Sequence, residues 1–193
     1  TLHIKNIYVT GNSLLSEQEI IEQAEINDYP KIYLVSRKKI ENKLNNNDLI
    51  KNVFVSKSLF GKVVINIEEN KVLYKENDNY MLSNGKLVSF DKEILGVPVL
   101  LNQVDDEVIN RFIEKLSLVD NDILKRISEI EYKPTDLDNE RFMFYMNDEN
   151  YVYITLSKIE LINSYNEIYP TLENNKGILY LDSGNHFEIK KKN

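Results

Sequence analysis

Apolar and polar residues alternate at the start of the chain in the manner of a β-strand. Within positions 3–10, Ile7 and Val9 fall on one phase and Ile4 and Tyr8 fall on the other. A Gly-Asn dipeptide follows directly, and this pair is typical of a turn. The pattern therefore predicts a strand that ends at this turn.

Two amphipathic helices are predicted next. Ser16 and Glu19 have the spacing of a capping box, which marks the first turn of a helix. A second helix is expected to begin near Ser36, with Ile40 and Leu44 on the face that it turns to the core. Positions 53–58 and 62–68 then predict two strands joined by a Leu-Phe-Gly turn. The order up to Glu69 is therefore strand, helix, helix, strand, strand.

Hairpin and turn signals dominate the rest of the chain. Asn84-Gly85 lies between two apolar runs and predicts a tight hairpin. Pro98, in the short extended run 97–100, predicts a strand at the sheet edge or outside the ladder. A helix is expected after Asp105, since three successive acids suit its positive end. Further strands are predicted at 128–132, 141–146, 151–156, 178–181 and 186–189.

A last long helix is predicted over positions 158–168. Leu161, Tyr165 and Ile168 have helical spacing, and Pro170 is expected to end the helix. Together with the strands, this pattern predicts an α+β protein.

Composition narrows the possible functions. The 193 residues carry a formal net charge of -7, which disfavours binding to nucleic acid. Cysteine is absent, so disulfides and thiolate metal sites are excluded. No run approaches the roughly 18 apolar residues that a membrane-spanning helix requires. The chain begins without methionine, so we expect it to be a fragment from which any anchor has been removed.

The residue types that carry catalysis do not cluster in the sequence. His3 and His186 lie at opposite ends of the chain and lack metal-ligand spacing, so solvated side chains are expected. Carboxylate pairs such as Glu68-Glu69 fit solvation or helix capping better than acid–base chemistry. Neither a nucleophile elbow nor a phosphate-binding glycine loop occurs. We therefore predict no enzymatic activity, no catalytic residue, no metal and no cofactor.

Several segments, in their order, resemble the FtsQ/DivIB family of bacterial cell-division proteins. Positions 4–12 are similar to the opening strand and turn of its POTRA domain, and 49–55 to the stretch before the POTRA hairpin. Positions 80–88 and 97–100 are similar to the start of the family's second domain, and 177–182 to its closing strand. The resemblance covers nearly the whole chain.

The resemblance implies a fold and a function. The expected architecture is α+β: a POTRA domain (β-α-α-β-β) at 1–69, followed at 70–193 by a mainly antiparallel β domain with flanking helices. The expected function is a non-enzymatic divisome scaffold at the division septum. Its implied partners are DivIC/FtsB-like and FtsL-like division proteins, with no nucleic acid. A single N-terminal membrane span would precede this fragment, which would lie on the extracytoplasmic side of the cell membrane.

Two other functions stay open at this point. POTRA domains also occur in proteins of outer-membrane assembly or secretion, where tandem units or a β-barrel are expected. A cell-envelope hydrolase is the third possibility, although the missing nucleophile argues against it. The full-length gene would distinguish these possibilities.

The resemblance implies a partner site on the last strands, around positions 178–189, because partners of this family add to the far end of its β domain. A strand near the chain end is expected at a sheet edge, where free N–H and C=O groups can pair with another chain. The predicted contact residues are Ile178, Leu179, Tyr180, Leu181, Asp182, Phe187 and Ile189. Phe187 and Ile189 share a phase and are expected to extend the surface that the strand at 178–181 presents. The alternative is that both faces of the strand at 178–181 are covered within the protein itself.

Two secondary surfaces are also predicted. The first consists of Tyr151 and Tyr153, because tyrosine is enriched in interfaces. The alternative is that both are ordinary cross-strand residues. The second, called the basic cluster below, consists of Arg37, Lys38 and Lys39 in the first turn of a helix. The basic cluster is interpreted as either a solvated patch or a contact with anionic lipid or an acidic partner. Lys190, Lys191 and Lys192 are expected to limit self-association of the edge or to steer an acidic partner.

Overall fold

The computed structural model describes residues 2–172 and 174–190 and has the predicted α+β class. The chain forms two compact units, of which the first ends at Asn70 and the second begins at Lys71. Within the described residues, no helix combines the length and apolar character needed to cross a bilayer.

The first unit has the predicted order of elements. Its elements are β1 (Asn6–Thr10), α1 (Glu17–Gln23), a 3₁₀ helix (Ile32–Leu34), α2 (Arg37–Leu44), β2 (Ile50–Lys57) and β3 (Lys62–Glu69). β3 is the central strand, parallel to β1 and antiparallel to β2. These pairings form the mixed three-stranded sheet of a POTRA domain.

Both helices of the first unit pack on one face of its sheet. Ile20 of α1 and Leu44 of α2 share a core with Val63 and Ile65 of β3. The capping box predicted at the start of α1 is present, because Ser16 and Glu19 each bond to the other's backbone N–H.

The second unit is a nine-stranded sheet with helices. Its strands are β4 (Val72–Glu76), β5 (Asn79–Leu82), β6 (Leu87–Val88), β7 (Val99–Leu100), β8 (Ile127–Tyr132), β9 (Arg141–Met146), β10 (Tyr151–Thr155), β11 (Gly177–Tyr180) and β12 (His186–Ile189). Its helices are α3 (Asp106–Leu116), α4 (Asn121–Leu124), a 3₁₀ helix (Leu156–Ser164), α5 (Tyr165–Ile168) and a 3₁₀ helix (Tyr169–Leu172). The strand order is β12-β11-β10-β9-β8-β7-β4-β5-β6.

The helices of the second unit share one core with the sheet. The ring of Phe112 in α3 stacks between two other aromatic rings. Its centroid lies 5.5 Å from that of Tyr74 and 4.4 Å from that of Phe142. Val152 and Leu179 extend this core towards the β12 side of the sheet. Because side chains alternate along each strand, the neighbours of these residues point to the opposite face.

The short strand next to Pro98 does not lie at the sheet edge. β7 is internal and pairs in parallel with both β4 and β8. Pro98 precedes the strand and uses only its carbonyl, which accepts the Lys75 N–H at 2.8 Å. The prediction of an edge strand was therefore wrong. Proline has no N–H to donate, but Pro98 precedes the strand, so the pairing of Val99 and Leu100 does not require that group.

The predicted helix at 158–168 is mostly a 3₁₀ helix. The 3₁₀ helix begins earlier, at Leu156, and is followed by α5 at Tyr165. The buried side chains of this segment recur every third residue, which is the 3₁₀ period: Leu156, Ile159, Ile162 and Tyr165. Leu161, predicted on the core face, is 39% exposed. α5 ends at Ile168, as predicted, and Pro170 lies in the 3₁₀ turn that follows.

Candidate interaction surface

β12 forms one edge of the large sheet, and among the described residues it pairs with β11 alone. The N–H of Lys190 donates to the carbonyl of Lys176 at 2.8 Å. Because backbone groups alternate in direction along an antiparallel strand, those of Phe187 and Ile189 point away from β11. The edge therefore offers these backbone groups to another strand.

A row of aromatic rings crosses the last three strands on the face opposite the core. The ring of Tyr153 in β10 stacks on that of Tyr180 in β11 at 5.4 Å. Tyr180 stacks in turn on His186 of β12 at 4.6 Å. His186 is exposed, as the sequence predicted, and its ring also contacts that of Tyr180.

A second set of side chains extends this face. Tyr145 and Tyr151 are opposite each other on β9 and β10 and meet edge to face, with ring centroids 5.1 Å apart. Ile178 is the partner of Tyr151 on β11. We call Tyr145, Tyr151, Tyr153, Ile178, Tyr180 and His186 the aromatic face. These side chains are partly or fully exposed, so the face is accessible for contact.

Charged groups border the aromatic face. The guanidinium carbon of Arg141 lies 3.7 Å from the ring centroid of Tyr153, and the Nζ of Lys190 lies 5.1 Å from that of Tyr151. Both distances suit cation–π contacts. Burial and the Glu188 carboxylate, 3.3 Å from its hydroxyl, raise the pKa of Tyr180. The Tyr180 hydroxyl donates its hydrogen bond to the Glu188 carboxylate, which links β11 to β12 at the border of this face.

An ion pair holds the bend that follows β11. The Nε of Arg141 donates to Oδ2 of Asp182 at 2.7 Å, and the Nζ of Lys158 donates to the Asp182 carbonyl at 3.0 Å. Burial alone would raise the pKa of Asp182, but the hydrogen bond and charge of Arg141 lower it below the ordinary value. Asp182 is therefore a paired anion that fixes the backbone between β11 and β12.

A buried amide supports the surface from below. Oδ1 of Asn150 accepts the N–H of Gly177 at 2.9 Å, and its Nδ2 donates to the hydroxyl of Tyr165 at 3.3 Å. Gly177 is needed for close approach, since a Cβ there would lie 2.0 Å from the carbonyl oxygen of Glu188. Nothing in the local sequence pattern around Asn150 indicated this role.

The residues predicted on β11 divide between the two faces. Ile178 and Tyr180 belong to the aromatic face, and Asp182 holds the bend beside it. Leu179 and Leu181 are buried in the core. Their side chains therefore support the surface and do not form it.

Phe187 and Ile189 do not extend the aromatic face. Register pairs Phe187 with Leu179 and Ile189 with Gly177, which places both side chains on the core side of the sheet. Phe187 packs against the core, and Ile189 is 56% exposed. The expectation that both side chains share a surface with Tyr180 was wrong, and their backbone groups define the edge instead.

The structure combines two sets of residues that the sequence kept apart. Tyr151 and Tyr153, predicted as a secondary surface, lie beside Ile178 and Tyr180, because β10 and β11 pair in parallel. Sequence reasoning missed Arg141. The alternation of the strand could have indicated its position, because Arg141 precedes Phe142 and therefore points away from the face of the core residues Phe142 and Phe144.

The basic cluster belongs to the first unit. Its three side chains are exposed in the first turn of α2, which contains no acidic residue. Lys191 and Lys192 of the predicted basic tail lie outside the described residues. Among the described residues, no group of three or more acidic, histidine or cysteine side chains has metal-binding geometry.

The chain is similar to proteins of one known family. The family model described as "POTRA domain, FtsQ-type" matches residues 2–70. The cell division protein DivIB of Bacillus subtilis is 32% identical over 202 residues, which cover 98% of this chain and 75% of that protein. DivIB of Brevibacillus brevis is 28% identical over 188 residues, with coverage of 92% and 71%.

Among solved structures, the major extracytoplasmic domain of DivIB from Geobacillus stearothermophilus is similar at 26% identity. The match covers 56% of this chain and 98% of that one, with a TM-score of 0.45.

Proposed function

This chain belongs to the DivIB family of bacterial cell-division proteins, and we propose that it is the extracytoplasmic part of a non-enzymatic divisome scaffold. Its relatives are cell-division proteins, so a role in division follows from the family. The family is not known as a family of enzymes. Scaffolding needs surfaces and edges for partners, and the second unit offers both.

The observation that carries the proposal is the open edge of β12 beside the aromatic face. The outward backbone groups of Phe187 and Ile189 would pair with a strand of the partner, which supplies affinity through main-chain hydrogen bonds. Side chains of that strand would contact Tyr180 and its neighbours, which supply specificity. Tyrosines suit this role because each offers a large contact area and a polar hydroxyl.

The proposed partners are DivIC/FtsB-like and FtsL-like division proteins. We propose that residues 70–193 form the β domain that binds them and that 1–69 form the POTRA domain. A single membrane span before this chain would hold both domains at the division septum. The comparisons give no support to the alternative, a protein of outer-membrane assembly or secretion.

Binding of a DivIC-type ectodomain tests the proposal. Tyr180→Ala and a truncation before Asn185 should each weaken binding at least tenfold, since interface tyrosines often cost more than about 1.4 kcal/mol when truncated. Tyr33→Ala, which removes an exposed tyrosine of the first unit, is the matched control and should leave affinity unchanged. Equal affinity in the wild type and all variants would move the partner site elsewhere.

The non-enzymatic part of the proposal has its own test. Purified protein should not hydrolyse peptidoglycan. Hydrolysis that a single side-chain substitution abolishes would contradict it.

A further inference from the structure

One end of the first unit contains the first described residues of the chain. β1 and β3 start at this end and the antiparallel β2 finishes there. The N–H of Lys5 donates to the carbonyl of Gly61 at 2.7 Å, so the β2–β3 turn lies beside the start of the chain. We call this end of the unit the leading end.

The segment before α2 also lies at the leading end. The N–H of Ile32 donates to the carbonyl of Leu2 at 3.0 Å, and that of Ile4 donates to the carbonyl of Pro30 at 2.9 Å. The Nζ of Lys57, the last residue of β2, donates to the Ile32 carbonyl at 3.1 Å. α2 therefore begins at the leading end, and the basic cluster in its first turn lies there too.

Large apolar side chains are exposed at this end. Leu59 is 87% and Phe60 is 84% exposed in the β2–β3 turn, and Leu34 is 67% exposed before α2. Tyr33 and Tyr29 are exposed beside them. Exposed apolar groups that gather at one end of a small unit mark a contact surface.

Positive charge gathers at the same end. The basic cluster is joined there by Lys5, Lys31, Lys57 and Lys62, with Asp28 and Glu25 as acidic exceptions. Glu25 pairs with Lys43, and its pKa is lowered mainly by Lys43 and in smaller part by Lys39. The opposite end, where β1 and β3 finish, carries acids such as Glu68 and Glu69. The leading end is therefore basic although the whole chain has a net charge of -7.

The basic cluster opposes the helix dipole. Three cations occupy the first turn of α2, where the macrodipole favours anions. Among the described residues, no carboxylate lies within ion-pair distance of the three side chains. An external anion would remove this unfavourable interaction.

We propose that the leading end of the first unit rests on anionic phospholipid headgroups of the membrane. The basic cluster would neutralise the headgroups, while Leu34 and Phe60 would enter the boundary between headgroups and acyl chains. Tyr33 would lie at headgroup depth, where tyrosine is enriched. The inference rests on the proposed function, because a membrane span before this chain would bring Leu2 and the leading end close to the bilayer.

Co-sedimentation of the 193-residue chain with vesicles tests this proposal. Wild type should bind vesicles of phosphatidylglycerol and phosphatidylcholine and should not bind pure phosphatidylcholine. Each surface cation contributes roughly fivefold, so the triple variant Arg37→Gln, Lys38→Gln, Lys39→Gln should lose binding on the order of 100-fold. Added salt should weaken wild-type binding.

Matched variants distinguish lipid binding at the leading end from a general effect of the protein's positive charges. Lys38→Gln should weaken vesicle binding roughly fivefold, whereas Lys51→Gln, at the opposite end of the first unit, should leave it unchanged. Phe60→Ser should also weaken it, although this variant keeps every charge. Circular dichroism should show that all variants are folded.

The outcomes also separate this proposal from the partner site. Tyr180→Ala should bind vesicles like the wild type, and the triple variant should bind a DivIC-type ectodomain like the wild type in lipid-free solution. No binding of wild type to anionic vesicles, or equal loss in Lys38→Gln and Lys51→Gln, would overturn the lipid contact. Neither result would affect the partner proposal.

Discussion

The ring of Tyr180 stacks on the ring of Tyr153 with 5.4 Å between centroids. The two residues belong to parallel strands that are joined through a helical crossover, so their contact reports the correct docking of β11 on β10. Tyr180 also stacks on His186 of the edge strand β12, so it links that strand to the tyrosines of β10. The aromatic face is therefore one surface that depends on this pair.

The first prediction concerns that pair. In a double-mutant cycle of Tyr153→Ala and Tyr180→Ala, the coupling in the free energy of unfolding of the second unit should be about 0.5–1.5 kcal/mol. Urea denaturation measures it. As a control, Tyr180→Ala and Tyr33→Ala should be additive within about 0.5 kcal/mol, since they share no contact. Additivity of the stacked pair would contradict the arrangement.

The second prediction concerns the ion pair at the bend after β11. Arg141→Gln should raise the pKa of Asp182, because it removes the hydrogen bond and the charge that most strongly oppose the effect of burial. Carbon-detected NMR titration of the carboxyl group measures this change. Lys158→Gln removes only a bond to the Asp182 carbonyl and should leave the pKa low.

The free energy of unfolding should depend on pH in the direction that the lowered pKa of Asp182 sets. In the wild type, the lowered pKa makes the Asp182 pair stabilising above the ordinary value of 3.8. That stabilisation should be lost as the pH falls through the lowered pKa. Arg141→Gln should lack the gain in stability on going from acid to neutral pH. An identical pH dependence in both proteins would contradict the pairing.

The third prediction tests the 3₁₀ period. Ile162 is fully buried and its neighbour Leu161 is 39% exposed. Ile162→Ala should therefore lower the free energy of unfolding by about 2–5 kcal/mol, and Leu161→Ala by no more than about 0.5 kcal/mol. Thermal or urea denaturation of the two variants decides. The reverse order would restore the α-helical register that the sequence predicted.

Local patterns predicted much of the fold. The capping box of α1 and the bounds of β12 follow from short-range signals, and the structure contains both. β4 was missed because its Val-Leu-Tyr run lies beside lysines and lacks alternation. The 3₁₀ helix was misjudged because spacings of three and of 3.6 residues differ little over two turns.

The interaction surface was only partly predictable. Tyr151, Tyr153 and Tyr180 were each singled out, but their union depends on parallel pairing between β10 and β11. A crossover of helices separates these strands, so no local pattern fixes their register. The side chains of Leu179 and Phe187 were placed on the surface because alternation alone does not say which phase faces the core.

Partner binding at the edge of β12 is tested most directly by the affinity of a DivIC-type ectodomain for two variants at one position. Ile189→Pro removes an N–H that points away from β11, so it should preserve the sheet while blocking strand addition. Ile189→Ala keeps that N–H and removes only a half-exposed side chain. In isothermal titration, the proline variant should bind at least about tenfold more weakly than the alanine variant, whose affinity should stay close to wild type. Equal affinities for the proline and alanine variants would contradict partner binding at the edge of β12.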